Sequence, residues 1–367
     1  MSTRTALGAA DVDDATLAAW LGADTIVAAR VAEIEYALPA MTTGGRWWVT
    51  GTAAREGKAF GFRVVVKVAQ SPRRSAVWDH IPPRFQAQAE LDLPWQVEPA
   101  VYRAWPDLPD PLRLPRVLAV RTLDDHSAAL WLEAVDHDTA PWTPDRYAEA
   151  ARSLGRLAVS PSLRDLADRV GQPMAPEQAR RYWTGRLQAQ FVPAYRSDDL
   201  WLHPVVARHV DDALRSRLMS LLHLVPSLIE EIEALPLLVA HGDACPNNLL
   251  VEPGGFCLID WSFFGRGRLA FDLSQLVISE IELGRQPATD LPRLQRLVVD
   301  AFTQGLSDGG LEVDPAAVAR AHAIQLAVGS GVAAVPLDHL DADPAVLDPL
   351  VGTRMAALDH VLTGVGL

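Results

Sequence analysis

Between Leu238 and Leu273 the chain carries two short apolar runs joined by a tight turn, with polar residues at the open end. Leu249–Val251 and Phe256–Ile259 flank Glu252-Pro-Gly-Gly255, whose Pro and Gly residues turn the backbone back on itself. Closing that hairpin brings Asn248, just before the first run, next to Asp260, just after the second. His241-Gly-Asp243 enters from the amino-terminal side, and Pro246 keeps residues 243–248 out of a regular helix. Three oxygen-bearing side chains from three local segments therefore converge: Asp243, Asn248 and Asp260.

The texture of the chain changes on either side of Asp136. Before it, Val27–Ala37, Trp47–Ala53 and Phe60–Ala69 read as strands, separated by turns at Met41–Arg46 and Arg55–Lys58. Arg116–Arg121 and Ala128–Val135 predict two more strands, and Phe85–Trp105 predicts helix. A short helix, Ala15–Leu21, precedes them, capped by Asp13 or Asp14 and stopped by Gly22. After Asp136 the spacing turns helical. Thr143-Pro-Asp starts a helix whose Tyr147, Ala151, Leu154 and Leu157 share one face. Further helices are predicted over Glu177–Phe191, Val205–Ala234 with a break near Pro226, Leu291–Gly305, Pro315–Ala334 and Pro344–Leu362. The expectation is an α+β, two-lobed chain. Residues 1–132 would form an antiparallel-sheet lobe, 133–138 a hinge and 139–367 a larger helical lobe; the latter holds loop 241–248 and segment 256–273.

Composition narrows the function. With 367 residues, 49% of them hydrophobic, the chain can bury a substantial core. Asp and Glu outnumber Lys and Arg by 46 to 33, a net charge of −13, which excludes a general nucleic-acid binder lacking a basic face. Two cysteines, Cys245 and Cys257, exclude a disulfide framework and a four-cysteine zinc site. The first 22 residues contain Asp11, Asp13 and Asp14 and do not read as a signal peptide, and no apolar run reads as a membrane span. A cytoplasmic protein with no membrane partner is expected; oligomeric state is not legible.

Phosphoryl transfer from a nucleotide needs a divalent cation against the phosphates and a group to orient the attacking hydroxyl. Mg²⁺ takes hard oxygen ligands and few protein contacts. Asp260 and Asn248 fit the metal role, and Asp243 fits the proton acceptor. Cys245 reads as a small space-filling residue, and His241 as a support for the loop.

The ordered set His241-Gly-Asp243, Asn248, Ile259-Asp260-Trp261, Gly265 and Asp272-Leu273 resembles the catalytic segment of the aminoglycoside phosphotransferase and choline kinase family, distant relatives of protein kinases. The resemblance spans about Val27 to Leu283 and implies a bilobal protein-kinase-like fold. It implies that Lys67, on the third strand, binds the α/β-phosphates of ATP or GTP. It makes Glu98 the partner of Lys67, with Glu90 as runner-up because Pro99 constrains the helix start. Thr43, Gly44 and Gly45 would cover the phosphates from a turn. Backbone groups near Glu133 and Val135 would read the base. Asp272 would hydrogen-bond the catalytic loop or cap the helix that follows. Gly242 stands where protein kinases carry an arginine, which argues against a phosphorylation-switched protein kinase. The acceptor would be a small-molecule hydroxyl: an aminoglycoside or other antibiotic first, with choline, amino-alcohols and sugars as alternatives. A nucleotide-binding protein without transfer is the reading from another class. Asp338, Asp341, Asp343, Trp183 and Trp201 are candidates for the acceptor, and Arg266 and Arg268 for substrate or phosphate.

Overall fold

The computed structural model describes residues 4–35, 40–172 and 177–367. Strands β1 (Thr25–Glu33), β2 (Thr43–Arg55), β3 (Lys58–Gln70), β5 (Val117–Asp124) and β6 (Ser127–Glu133) form one antiparallel sheet in the order β1-β2-β3-β6-β5. The last expected residues of the first strand, Tyr36 and Ala37, lie outside the described residues. The Glu56-Gly57 turn has positive φ at both positions, 50° and 74°, which matches the twist of a two-residue hairpin and fixes Arg55 opposite Lys58.

Alternation gives the sheet two faces. Val49, Val64, Val66, Ala129 and Trp131 point outward and are covered by Leu7, Ala10 and Leu17 of the amino-terminal segment. Leu17 belongs to α1 (Asp14–Leu21), which the Asp13 side chain caps and left-handed Gly22 ends. On the other face Val65, Leu130 and Leu132 join the main core, together with Val97, Val101 and Tyr102 of α3 (Val97–Ala104). The expected helix over Phe85–Trp105 is two, α2 (Pro83–Asp92) and α3, separated at Pro94.

Beyond residue 143 the chain is mainly helical. The Thr143 side chain accepts the Arg146 N–H and starts α4 (Pro144–Ala158). A Cβ on Gly155 would lie 2.4 Å from the Phe302 carbonyl, and one on Gly305 would lie 2.0 Å from the Arg152 carbonyl. Those two glycines let α4 and α12 (Leu291–Asp308) touch backbone to backbone. Helix α10 (Asp212–Glu233) runs straight through Pro226, contrary to the expected break. Leu221, Val225, Leu228, Ile229 and Ile232 are buried along it, each contributing about 1.5–3 kcal/mol, enough to offset one missing backbone bond. The break falls earlier, at extended Val210, after α9 (Val206–His209), and Asp211 then caps α10 by accepting the Leu214 N–H at 2.7 Å. Helix α5 (Pro161–Val170), not anticipated, packs beside a strand pair: β7 (Leu237–Ala240) and β10 (Gly265–Arg268).

The hairpin is β8 (Leu249–Glu252) and β9 (Gly255–Leu258), with Leu249 opposite Leu258. Strand β4 (Leu112–Arg113) adds to it in parallel. Helices α11 (Phe271–Glu282), α13 (Pro315–Leu326) and α14 (Pro344–Gly364) pack on one another in the main core.

Candidate active site

Strand β7 delivers His241 into the core, and the chain then turns sharply. Gly242 has φ 90°, and a Cβ there would sit 2.1 Å from the Phe263 carbonyl. No side chain fits, so the arginine of protein kinases is sterically barred. The Asp272 carboxylate accepts the N–H of His241 at 2.8 Å and of Gly242 at 2.9 Å. It sits inside the first turn of α11, not at the cap, which is Ala270. Burial pushes Asp272 up to about 6, against the pull of those two donors. The His241 ring lies with Nε2 3.0 Å from the Ile259 carbonyl and Nδ1 3.4 Å from the Asp243 N–H. A neutral ring with its proton on Nε2 satisfies both contacts. Burial lowers its pKa to about 4, so it is uncharged at neutral pH. Trp261 packs on the ring at 4.6 Å.

The Asn248 amide nitrogen donates to the Asp243 carboxylate and to the Asp243 carbonyl, each at 2.9 Å. Its nitrogen is thereby spent, and its oxygen is the atom left to present to a ligand. Burial, then repulsion from Asp260, raises Asp243 to about 6. The Ile259 N–H donates to the Asn248 carbonyl at 3.0 Å, so hairpin closure sets Asn248 against the segment that ends in Asp260. Asp260 holds φ 59°, a left-handed backbone that is costly for a side-chain-bearing residue and clusters at functional sites. Burial works to raise its pKa. The Lys67 charge and the Ser262 hydroxyl, 2.6 Å away, outweigh that, and it settles at about 2.

Lys67 closes the arrangement from the sheet. Its Nζ is 2.7 Å from Glu98 Oε2 and 3.0 Å from Asp260 Oδ1. Burial works to lower the ammonium pKa, but the two carboxylates hold it above its usual value. Glu98 is pushed up to about 7 by burial, against the attraction of Lys67. Pro99 is tolerated because Glu98 occupies the first turn of α3, where proline's missing N–H has no helical partner to lose. Glu90 pairs instead with Arg73, its Oε2 2.7 Å from the guanidinium, at the surface.

Several expected residues sit differently. Thr43, Gly44 and Gly45 are not a turn: they begin β2, with a bulge between Thr43 and Gly45. The Glu133 side chain is taken by Arg113 at 3.1 Å and by the Arg116 N–H at 2.7 Å. The Val135 carbonyl faces His137 Nδ1 at 3.1 Å. Arg266 and Arg268 lie in β10, not in a loop. Arg266 reaches Asp168 and the Leu237 carbonyl, and Arg268 the Leu235 carbonyl. Trp183 and Trp201 are buried core residues, and Trp201 donates to the Tyr195 carbonyl. Asp343 caps α14, Asp338 is exposed 3.6 Å from Arg186, and Asp341 is exposed. The Cys245 thiol is pushed up to about 12 by burial, which makes it a poor nucleophile.

Sequence reasoning passed over Arg46 and Ser262. Arg46 stands opposite Lys67 in the β2–β3 pair. That was legible: a hairpin with Arg55 opposite Lys58 pairs residues whose numbers sum to a constant, which sets Arg46 against Lys67. Ser262 carried no signal.

The site's chemistry is that of a phosphotransferase. The family model described as phosphotransferase enzyme family matches residues 57–305, more than half of the chain, and the protein belongs to that family. Membership makes it a phosphotransferase. Choline kinase from Cryptosporidium parvum Iowa II is similar at 14% identity and TM-score 0.50, over 92% of this chain and 88% of that one. Plasmodium vivax ethanolamine kinase is similar at 12% identity and TM-score 0.49, over 90% and 82%. An aminoglycoside phosphotransferase from Alicyclobacillus acidocaldarius is similar at 15% identity and TM-score 0.46, over 85% and 89%. The first of these agrees with a two-lobed, protein-kinase-like α+β fold. No curated protein matches the chain. Among the described residues no helix is long and apolar enough to cross a membrane.

Proposed function

We propose that this kinase moves the γ-phosphoryl group of ATP or GTP to a hydroxyl of an aminoglycoside or another antibiotic, in the cytoplasm, with resistance as its role. The observation that carries the nucleotide half is Lys67, a buried cation shared by Glu98 and Asp260, residues from α3 and from the end of the hairpin. A bound triphosphate would take up that cation. The acceptor half rests on the His241-Gly-Asp243 segment and on an overall charge of −13, which favours a cationic acceptor.

In this reading Asp243 receives the acceptor's proton as the hydroxyl oxygen bonds to the γ-phosphorus and the bond to the β-γ bridging oxygen breaks, releasing the nucleoside diphosphate. Asn248 holds the Asp243 carboxylate in place, and Lys67, steadied by Glu98, holds the α/β-phosphates. Asp260 and the Asn248 side-chain oxygen fit Mg²⁺. Both are hard oxygen donors, and Asp260 stays ionised far below neutrality. When bound there, Mg²⁺ would supply charge neutralisation of the phosphates.

The test is nucleotide consumption with Mg²⁺ across a panel of hydroxyl acceptors, with ATP and GTP assayed separately. The panel contains aminoglycosides, nucleoside and macrolide antibiotics, choline, ethanolamine and amino sugars. Turnover confined to an antibiotic class supports the proposal. Turnover confined to choline or ethanolamine replaces the acceptor but keeps the chemistry.

A further inference from the structure

Strand β2 runs beside the strand that bears Lys67, and the register places Arg46 directly across from it. Facing residues of an antiparallel pair project from the same side, with Cβ atoms about 4.5–5.5 Å apart. The side in question is the inner one. Val49, Val64 and Val66 occupy the outer face, whereas Val65 packs against the main core with α3. Arg46, Trp48, Val65 and Lys67 therefore form a two-by-two block on the inner face. Arg46 is half-buried. Its charge reaches Glu98 and Asp260, the two carboxylates that hold Lys67.

We propose that Arg46 is a second phosphate-holding cation of the nucleotide site, set beside Lys67 and directed at the β- and γ-phosphates. The inference rests on the reading of this cleft as the nucleotide site. Three anionic side chains, Glu98, Asp260 and Asp243, gather with Lys67 around the place where a triphosphate would lie. One lysine leaves that site short of positive charge. Arginine supplies it in a form lysine does not: a planar fork that grips two phosphate oxygens at once and keeps its charge whatever the pH. The position also suits the outer end of the nucleotide. Arg46 lies at the start of β2, and Trp48 is two residues further along the strand. Trp48 is the cross-strand neighbour of Val65, and the Arg63 guanidinium covers its ring at 5.1 Å. Arg63 in turn pairs with Asp136, just past Val135. The block thus grades from an apolar end near the expected base to a cationic end beside Lys67.

The experiment is a ligand ladder by titration calorimetry: adenosine, AMP, ADP and ATP, each with Mg²⁺, on the wild type, Arg46→Gln and Arg46→Lys. Wild-type affinity should rise along the ladder. In Arg46→Gln, adenosine and AMP should bind as in the wild type, while ATP binding falls about tenfold or more and the gain from AMP to ATP is lost. Arg46→Lys should recover only part of it. Thermal unfolding of each variant accompanies the ladder. Wild-type ATP affinity retained in Arg46→Gln overturns the proposal while leaving the nucleotide site intact. Equal weakening of adenosine and ATP overturns it too, because Arg46 would then be shaping the cleft rather than holding phosphate. A wild type that binds no member of the ladder overturns this proposal and the nucleotide site together.

Discussion

The two sides of the cleft are built by different means. On the loop side, Asp243, Asn248, His241 and Asp272 are fixed by hydrogen bonds to backbone. Two loop N–H groups point at Asp272, a carbonyl meets His241, and Asn248 clasps Asp243 at two points. On the sheet side, Lys67, Glu98 and Asp260 are held mainly by ion pairs between side chains, with the Ser262 hydroxyl also bonding Asp260, across 193 residues of separation between lysine and aspartate. Backbone bonds leave a rigid frame whether or not substrate is present. Ion pairs can be exchanged: a phosphate can take the place of either carboxylate on Lys67. The loop side is thus suited to orient the acceptor, and the sheet side to receive and release a nucleotide.

If that division is right, damage on each side should show in a different measurement. The largest effect belongs to Asp243→Ala. Turnover should fall about 10²–10⁴-fold while ATP affinity stays near that of the wild type. Lys67→Met should do the reverse first, weakening ATP binding about tenfold or more. It also leaves buried Glu98 and half-buried Asp260 side by side without their cation, which should cost at most about 3–5 kcal/mol in denaturant unfolding. Unchanged ATP affinity in Lys67→Met would break the comparison. Asp272→Asn offers one oxygen where the carboxylate offers two, so one loop N–H loses its acceptor. Stability should drop by about 1–3 kcal/mol, with turnover falling more than nucleotide affinity. Carboxyl-carbon NMR on the nucleotide-free protein sharpens the loop side further. Burial raises Asp243, so it should take up its proton as pH falls through about 6, not 4, and proton acceptance should fade over the same range. His241 should stay neutral until pH falls towards about 4. The smallest effect is a control. Glu90→Ala removes only a surface pair with Arg73 and should leave ATP affinity unchanged, whereas Glu98→Ala should not.

The difference between the two sides also explains what could be read from the sequence. The loop side and Asp260 lie together within His241–Asp272, so motif spacing and one hairpin turn were enough to gather Asp243, Asn248 and Asp260. The sheet side depends on which helix face meets which strand. Glu90 and Glu98 both sit in helical sequence, 23 and 31 residues after Lys67, and nothing local says which one points at it. Arg46 was within reach, since the Glu56-Gly57 turn fixes the register, but the stretch from Met41 to Arg46 reads as a turn when glycines are weighed before pairing. Thr43 and Gly45 are strand because β3 offers them partners, with Gly44 in the bulge between them. Pro226 misleads for a related reason. Local chemistry argues for a break, while burial along α10 decides otherwise. Trp183 and Trp201 look like ligand-stacking residues in isolation, yet both fill the helical core.

The most direct measurement is phosphorus NMR of wild-type protein incubated with ATP, Mg²⁺ and each acceptor of the panel, with Asp243→Ala as the blank. A phosphate monoester resonance that grows with one acceptor class, matches the ADP formed and is missing from the blank is the predicted result. ATP converted to ADP and free phosphate with every acceptor, or the same monoester formed by Asp243→Ala, would contradict transfer by this site.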